Sequence, residues 1–365
     1  MKVCLIGNNL TSLILAKILN KKKINVQIYS SKSTKLKFST RTLGVTDYNL
    51  KYLSTIFKNI SVLVNPINKI KILIENKETK EKIVFDKKSL TLFNMVKYEK
   101  LLSYVRSKVL NSKKIKVSNI RKKLDLFKIV NKRNFDLIIN CEKSNIFTKK
   151  YLKNGIFKNY YNSAFTTIIK HHKLQNNQAV QVFTDNGPLA FLPLTKEKTS
   201  IVYSVDIKKK NNLSQTEFKN IINKYNPSYK IISYGKIENF SLNLILPKNY
   251  CYENILFFGD SIHSIHPLAG QGFNMTIRDI IELDKILEKK INLGLNIDKH
   301  AIHEFEKQVK SYNSIFSFGI DFIHEFFIFD KKFIPKKISK LFFNYINRSS
   351  KIKNLGIKIA NQGTV

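Results

Sequence analysis

A chain of 365 residues with 43% apolar and 12% aromatic residues is long enough for one large core or two connected domains, and its composition excludes a disordered protein. The formal net charge of +38 would fit a nucleic-acid partner, yet only six of the 64 basic residues are arginines and the lysines are spread over every segment. No zinc site, basic zipper or RNA-binding signature accompanies the charge, so we expect no nucleic-acid partner. An anionic membrane surface is kept as a candidate partner, because acidic lipids attract surplus positive charge.

The first residues and the apolar stretches bear on location. Residues 1–7 read as a strand and not as a charged segment followed by an apolar one, so we expect a cytoplasmic protein. No stretch reaches the roughly 18 uninterrupted apolar residues of a spanning helix, so any contact with the inner membrane is expected to be peripheral. Cys4, Cys141 and Cys251 sit singly in apolar runs, which predicts buried reduced thiols and offers no metal-ligand spacing.

The first part of the chain predicts a strand, a tight turn, a helix and a second strand. Residues 2–7 are apolar and end in glycine, and apolar residues then recur at helical spacing over 10–19. Residues 25–29 supply the second short strand. This βαβ unit has the length that dinucleotide-binding folds use.

Further along, the pattern alternates between helical and extended segments. From 157 to about 245 the runs become rich in β-formers, which indicates an antiparallel sheet inserted between parts of a nucleotide-binding fold. The other predicted elements are strands at 70–74, 82–85, 135–139 and 255–258, a helix at 98–110, and helices from 274 to the end with a break at Pro335.

The turn after the first strand carries a weak form of the phosphate-binding fingerprint. That fingerprint needs three small residues, which allow the turn, the approach of the pyrophosphate and the packing of the helix on the strand. This chain has Gly7, Asn9 and Ser12 at those positions, and Ser30 where an acidic residue would hold the adenosine ribose. Asparagine tolerates left-handed backbone and serine is small, so both a dinucleotide site and an ordinary βαβ crossover stay open.

A second motif, near the C-terminal end of the sheet, is far more specific. Residues 258–274 read FGDSIHSIHPLAGQGFN and resemble the second FAD motif of the flavin aromatic hydroxylases over seventeen consecutive positions. A carboxylate after the strand can accept hydrogen bonds from ribityl hydroxyls, and the amides at the start of the following helix can stabilise negative charge on the flavin. The matching residues are Gly259, Asp260, His263, His266, Pro267, Gly270, Gln271, Gly272 and Asn274.

The residue sequence of this motif resembles that of the ubiquinone-biosynthesis branch of the family, whose members hydroxylate polyprenylated phenols. Residues 179–194 resemble the branch's sheet segment, residues 346–363 resemble its closing helix, and Arg41 falls where the family has an arginine that approaches the flavin. The resemblance implies that the cofactor-binding residues are Gly7, Asn9, Ser12, Arg41, Gly259, Asp260, Pro267, Gly270, Gln271, Gly272 and Asn274.

The resemblance also implies a fold of the α/β (α+β) class. We expect a Rossmann-like FAD-binding domain with an inserted antiparallel-sheet substrate domain and C-terminal helices. The predicted divisions are 1–65, 91–156 and 251–290 for the FAD-binding parts, 66–90 for a hairpin of the substrate sheet, 157–250 for the substrate sheet and 291–365 for the helical region.

By the same resemblance, an external donor such as NAD(P)H reduces the flavin, and O₂ then gives a C4a-hydroperoxide that hydroxylates an electron-rich ring. Pro267 and the amides after it would line the reactive face of the ring. His263 is a candidate proton handler, because imidazole titrates near neutrality. The alternative is that His263 and His266 are structural residues that shape the turn. A metal site is not expected there, because the sequence has no third ligand near these two histidines.

The chain departs from the family on the adenosine side. The family's Asp-Gly pair after the strand at 135–139 appears here as Glu142 and Lys143, in addition to the changes at Asn9, Ser12 and Ser30. A second hypothesis therefore stays open: a non-catalytic or flavin-poor relative that acts as an interaction subunit among other ubiquinone-biosynthesis proteins.

Phenylalanines near the C-terminus form a helical pattern. Five of them, from Phe318 to Phe333, recur at three- or four-residue spacing, and lysines follow between 331 and 340. This pattern predicts a peripheral membrane contact, or else packing within the protein or a dimer.

Overall fold

A computed structural model describes residues 1–31, 40–75, 80–86, 91–120, 126–129, 135–206, 213–265, 270–333, 345 and 348–363. The described strands form sheets of six, eight and three strands. In chain order they are β1 (Lys2–Ile6), β2 (Asn25–Ser31), β3 (Thr42–Thr46), β4 (Asn65–Ile67), β5 (Lys69–Glu75), β6 (Lys80–Asp86), β7 (Phe93–Lys97), β8 (Ile115–Ile120), β9 (Leu137–Asn140), β10 (Gly155–His171), β11 (Gln178–Thr184), β12 (Gly187–Thr195), β13 (Lys198–Asp206), β14 (Ile231–Tyr234), β15 (Glu238–Pro247), β16 (Cys251–Tyr252) and β17 (Ile255–Phe257).

The helices connect the sheets and cover their faces. Short 3₁₀ turns lie at Ile60–Leu63 and Gly259–Ser261. The α-helices are α1 (Leu10–Lys21), α2 (Asp47–Ile56), α3 (Tyr98–Leu110), α4 (Ile146–Tyr151), α5 (Gln215–Tyr225), α6 (Gln271–Asn292), α7 (Lys299–Phe333) and α8 (Ser350–Gln362).

The six-stranded sheet has the order β16-β17-β9-β1-β2-β8. Its strands are parallel except for β16, which pairs antiparallel with β17 at one edge. Residues of β1, β9 and β17 are almost all buried, as expected for parallel strands covered on both faces. The predicted βαβ unit and the Rossmann-like fold class are confirmed.

The eight-stranded sheet has the order β14-β10-β13-β12-β11-β5-β6, with β15 also paired to β10. The β5–β6 hairpin joins it through parallel pairing of β5 with β11. The prediction of a purely β-rich segment was incomplete, because α5 lies within it. A capping box at Ser214 and Glu217 starts this helix, and Phe218 and Ile222 anchor it in the core.

A small sheet of three strands, in the order β3-β7-β4, was not predicted. Its strands have only three or five residues, too few for a clear alternation of apolar and polar side chains. Thr40 and Thr42, on either side of Arg41, attach this region to the eight-stranded sheet: the Thr40 and Thr166 hydroxyls lie 2.6 Å apart, and those of Thr42 and Ser200 lie 3.0 Å apart. Arg41 therefore lies where the sheets meet.

The C-terminal region is helical as predicted, although α6 starts at Gln271, three residues before the expected position. Pro335 lies outside the described residues. Within the described part of the chain, the helices include none that is long and apolar enough to cross a membrane. Cys4 and Cys141 are buried as predicted, but the prediction for Cys251 was wrong: it lies on the edge strand β16 and is only half-buried.

One glycine in the eight-stranded sheet offers a test of the register between the paired strands β12 and β13. Gly187 has a φ of +138°, and a Cβ built on it would lie 2.0 Å from the Ser204 carbonyl oxygen. We expect Gly187→Ala to lower the free energy of unfolding by roughly 2–4 kcal/mol, as measured by chemical denaturation. Gly319→Ala in α7 is the control, because a Cβ there meets nothing within 4 Å and should stabilise the helix by up to about 1 kcal/mol. Equal stability of the two variants would contradict the register.

Candidate functional site

The turn from β1 into α1 is held by side chains of the eroded fingerprint. Asn9 caps the helix: its Oδ1 accepts from the Ser12 backbone N–H at 3.0 Å, and the Ser12 Oγ accepts from the Asn9 N–H at 3.0 Å. Gly7 ends the strand, and its N–H donates to the Tyr29 carbonyl. The two residues that replace glycines therefore form a capping box.

This turn is also tied to its neighbours. The Asn9 Nδ2 donates to the Cys141 carbonyl at the end of β9, at 2.7 Å. Burial raises the pKa of the Tyr98 hydroxyl, and the nearby Arg41 guanidinium opposes that effect. Two of the N–H groups that a helix start normally presents to an anion, those of Asn9 and Ser12, are bonded to the protein's own side chains.

Ser30, at the end of β2, takes the place of the expected ribose-binding acid. It is buried, and its hydroxyl donates to the Asn119 side chain on β8 at 3.2 Å. The side chain is therefore engaged within the sheet.

The second motif folds as a strand, a 3₁₀ turn and a helix. Gly259 follows β17 with a φ of +65°, and a Cβ on it would lie 3.3 Å from Thr11 of α1 and 3.5 Å from Thr276 of α6. The turn thus sits between the first turns of two helices, where only glycine combines this backbone with this close approach. As a result, the N-termini of α1 and α6 approach the same edge of the sheet.

A polar cluster with one carboxylate and two cations lies beside this turn. The Arg41 Nη2 lies 3.8 Å from the Asp260 Oδ2, both side chains are about half exposed, and the Arg41 guanidinium stacks over the Tyr98 ring at 4.9 Å. Burial lowers the pKa of Lys143, and the attraction of Asp260 opposes that effect. The Lys143 Nζ donates to the Ser264 hydroxyl at 3.2 Å. The residues that replace the family's Asp-Gly pair thus add a positive charge to the cluster.

The start of α6 places three further predicted residues. Gly270 is the N-cap and faces the backbone of Gly44 in β3, Gln271 is buried in the first turn, and the Gly272 carbonyl accepts from the Thr276 hydroxyl. His266 and Pro267 lie outside the described residues. The first turn of α6 therefore lies next to β3, the strand that follows Arg41.

Asn274 is fully engaged in holding elements together. Its Nδ2 donates to the Gly44 carbonyl at 2.8 Å, and its Oδ1 accepts from the Thr46 N–H at 2.9 Å and from the Asn49 side chain at 3.0 Å. The side chain is 1% exposed. Its amide therefore joins α6 to β3 and α2, which makes Asn274 a positioning residue for the site.

His263 points into the interior. Its Nε2 lies 2.6 Å from the Asp279 Oδ2, and the Asp279 Oδ1 accepts from the Asn313 Nδ2 at 2.9 Å. All three side chains are buried, and the His263 Nδ1 has no hydrogen-bond partner among the described residues. This environment favours the structural interpretation of His263 over direct access to solvent.

Sequence reasoning missed several residues that shape the site. Tyr98, Thr11 and Asp279 carry no motif of their own, and their roles depend on which elements pack together. The start of the helix predicted at 98–110 is the one signal that could have drawn attention to Tyr98.

Comparisons with known proteins show which proteins this chain is similar to. The sequence model of a family described as an FAD binding domain matches residues 156–293, which include the motif at 258–274. The ubiquinone biosynthesis monooxygenase COQ6 of Drosophila melanogaster is 26% identical over 234 residues, covering 53% of this chain and 49% of that protein. The 3-demethoxyubiquinol 3-hydroxylase of Escherichia coli K12 is 27% identical over 163 residues, which cover 43% of this chain and 42% of that protein. The chain thus spans about half the length of these relatives.

Solved structures share the fold over nearly the whole chain. The p-nitrophenol 4-monooxygenase PnpA of Pseudomonas putida has a TM-score of 0.73 at 11% identity and covers 100% of this chain and 98% of its own. HpxO of Klebsiella pneumoniae, solved with FAD and uric acid, has a TM-score of 0.70 at 10% identity. The match covers 100% of this chain and 97% of HpxO. The chain is thus similar to ubiquinone-biosynthesis hydroxylases over about half of its length, matches an FAD binding domain over residues 156–293, and shares the fold of these solved structures.

Proposed function

We propose that the protein is an FAD-dependent monooxygenase that hydroxylates the aromatic ring of a polyprenylated phenol in ubiquinone biosynthesis. The observation that carries the proposal is the half-exposed Asp260, paired with Arg41 beside the starts of α1 and α6. The names of the relatives support the pathway, and the polyprenylated phenol is the substrate that those names imply.

The residues of the site fit the flavin half of FAD. Asp260 can accept hydrogen bonds from ribityl hydroxyls, and the amides at the start of α6 can stabilise negative charge on the flavin. Arg41 and Lys143 give the site the positive charge that an anionic cofactor requires. On the adenosine side, binding requires the pyrophosphate to share or displace the hydrogen bonds between Asn9 and Ser12.

When bound and reduced by a donor such as NAD(P)H, the flavin supplies the activation of O₂ and the transfer of one oxygen atom to the ring. The chain contributes binding, orientation and exclusion of water. Arg41 lies at the junction with the eight-stranded sheet, so it can position both cofactor and substrate. In this proposal Pro267 lines the reactive face of the ring, and His263 can move a proton only through Nδ1, since Asp279 holds Nε2.

One observation favours the second hypothesis, a flavin-poor interaction subunit of a quinone-making assembly. Two of the first amides of α1 are bonded to side chains of the protein, as described above. The visible spectrum of the purified protein separates the two functions, because bound oxidised flavin absorbs there and a flavin-poor subunit does not.

We extend the proposal to peripheral membrane association, which brings the enzyme to a substrate that partitions into the bilayer. Helix α7 exposes apolar side chains at three- and four-residue spacing; they are Tyr312 (55% exposed), Ile315 (58%), Phe318 (46%) and Phe322 (69%). Phe316 does not contribute, because it is buried under the Arg278 guanidinium at 4.4 Å. The side chains of Phe326, Phe329 and Phe333 lie outside the described residues.

Asp260→Ala tests the flavin site. We expect the variant to fold and to bind FAD at least about tenfold more weakly, because hydrogen bonds to a charged group contribute roughly 1.5–3 kcal/mol. The measurement is the dissociation constant from quenching of flavin fluorescence. Asp86→Ala removes a comparable surface ion pair, with Lys69, and serves as the control. Unchanged FAD affinity in Asp260→Ala would rule out the assignment of Asp260.

Asn9→Gly tests the capped turn of α1. We expect FAD to bind several-fold more tightly, because backbone amides become accessible to the pyrophosphate, and the free energy of unfolding to fall by only about 0.3 kcal/mol through loss of the cap, because glycine is itself tolerated at an N-cap. Asn145→Gly removes a similar cap from α4 and should change stability without changing FAD affinity. Equal or weaker binding in Asn9→Gly would mean that the adenosine end lies elsewhere.

Membrane association is tested by flotation with vesicles that contain an anionic phospholipid, at low salt. The triple variant Ile315→Ser, Phe318→Ser, Phe322→Ser should lose most of the binding of the unmodified chain. Val62→Ser with Ile232→Ser changes exposed apolar residues elsewhere and should bind normally. The proposal fails if the unmodified chain does not float with the vesicles, or if the triple variant floats as well as the control.

A further inference from the structure

A cluster of three metal-ligating side chains lies away from the cofactor site, where the edge strand β16 packs against α7. Cys251 belongs to the strand, and His303 and Glu306 follow one another at a spacing of three residues on the helix. This spacing places both side chains on the same face of a helix, toward the strand. Because the ligands come from two elements 52 residues apart, no local cysteine or histidine spacing could reveal them.

The distances suit a small metal ion. The Cys251 Sγ lies 3.4 Å from the His303 Nδ1 and 2.9 Å from the Glu306 Oε2, and all three ligand atoms lie within 4.8 Å of one another. In tetrahedral zinc, bonds of about 2.3 Å to sulfur and about 2.0–2.2 Å to nitrogen or oxygen separate neighbouring ligand atoms by roughly 3.3–3.6 Å. The sulfur–nitrogen distance already lies in this range, and the carboxylate oxygen would have to move away from the sulfur for the three atoms to occupy three of the four tetrahedral positions.

The second oxygen of the carboxylate is already oriented. The Glu306 Oε1 accepts from the Tyr250 backbone N–H at 2.8 Å, which leaves Oε2 directed at the thiol. Partners of this kind hold ligands in place in metal sites. His303 is exposed, so the cluster is open to solvent on the side of this imidazole.

The charge balance of the cluster also changes when a cation binds. In the structure the Cys251 thiol donates a hydrogen bond to the Glu306 carboxylate. A divalent cation would stabilise thiolate and carboxylate together and release the thiol proton to solvent.

A thiol–carboxylate hydrogen bond that fastens β16 to α7 would explain Cys251 and Glu306 alone. It does not need His303, whose Nδ1 brings a third ligand atom to the same thiol. We propose that Cys251, His303 and Glu306 bind one zinc ion, with water as the fourth ligand. The mixed sulfur, nitrogen and oxygen donors favour zinc over magnesium or calcium, which prefer oxygen ligands.

The test is equilibrium dialysis of the full chain against zinc, together with cobalt titration followed as a difference spectrum, so that any bound flavin cancels. We expect one zinc per chain and a thiolate-to-cobalt charge-transfer band. Cys251→Ser keeps a hydroxyl that can donate to Glu306 and should abolish the band. His303→Ala should weaken zinc binding at least about tenfold.

His300→Ala is the matched control, because His300 lies on the same helix one turn earlier and outside the cluster. That variant should bind zinc normally. The proposal is overturned if no charge-transfer band forms, if Cys251→Ser binds zinc as tightly as the unmodified chain, or if His303→Ala and His300→Ala have the same effect. None of these outcomes depends on the proposed monooxygenase activity.

Discussion

The side-chain amide of Asn274 is the constraint on which the geometry of the cofactor site depends. It bonds the Gly44 carbonyl and the Thr46 N–H of β3, as a neighbouring strand would, and it also receives the Asn49 side chain. An apolar residue there would leave buried backbone groups unpaired, at about 1–3 kcal/mol each. Because Arg41 comes directly before β3, and α6 follows the turn at Asp260, this one amide sets the distance between the cation and the carboxylate of the site.

The positive charge beside Asp260 is held in fixed positions, unlike the positive charge of the protein surface. The net charge of +38 comes from lysines spread along the whole chain, which attract anions without fixing their position. In the polar cluster, the Tyr98 ring fixes Arg41 and the Ser264 hydroxyl fixes Lys143. Both cations face the Asp260 carboxylate. The replacement of the family's Asp-Gly pair by Glu142 and Lys143 therefore changes the electrostatics of the site toward anion binding.

The sequence allowed the long elements and the strongest motif to be predicted, for clear physical reasons. The first βαβ unit, the helix at 98–110 and the strands at 70–74 and 82–85 have clear apolar patterns, and each was found, whereas residues 157–245 were predicted only as a β-rich segment. The three-stranded sheet was missed because its strands are too short to show a period. Asn274 was selected as a cofactor ligand because it belongs to the motif, but its bonds to β3 depend on a contact 228 residues away in the sequence. Cys251 was assigned to the core because local apolarity does not reveal the edge of a sheet.

The turn at the start of α1 shows how stability and cofactor binding draw on the same groups. A helix start offers a few N–H groups that either a side chain or a bound anion can satisfy. Glycine at positions 9 and 12 would leave them to the anion, at the expense of helix stability without a ligand. Asn9 and Ser12 instead satisfy them within the chain, and Asn9 also joins the turn to β9. The erosion of the fingerprint therefore stabilises the fold in the absence of cofactor, and in the proposed function FAD binding depends more on Asp260, Arg41 and the start of α6.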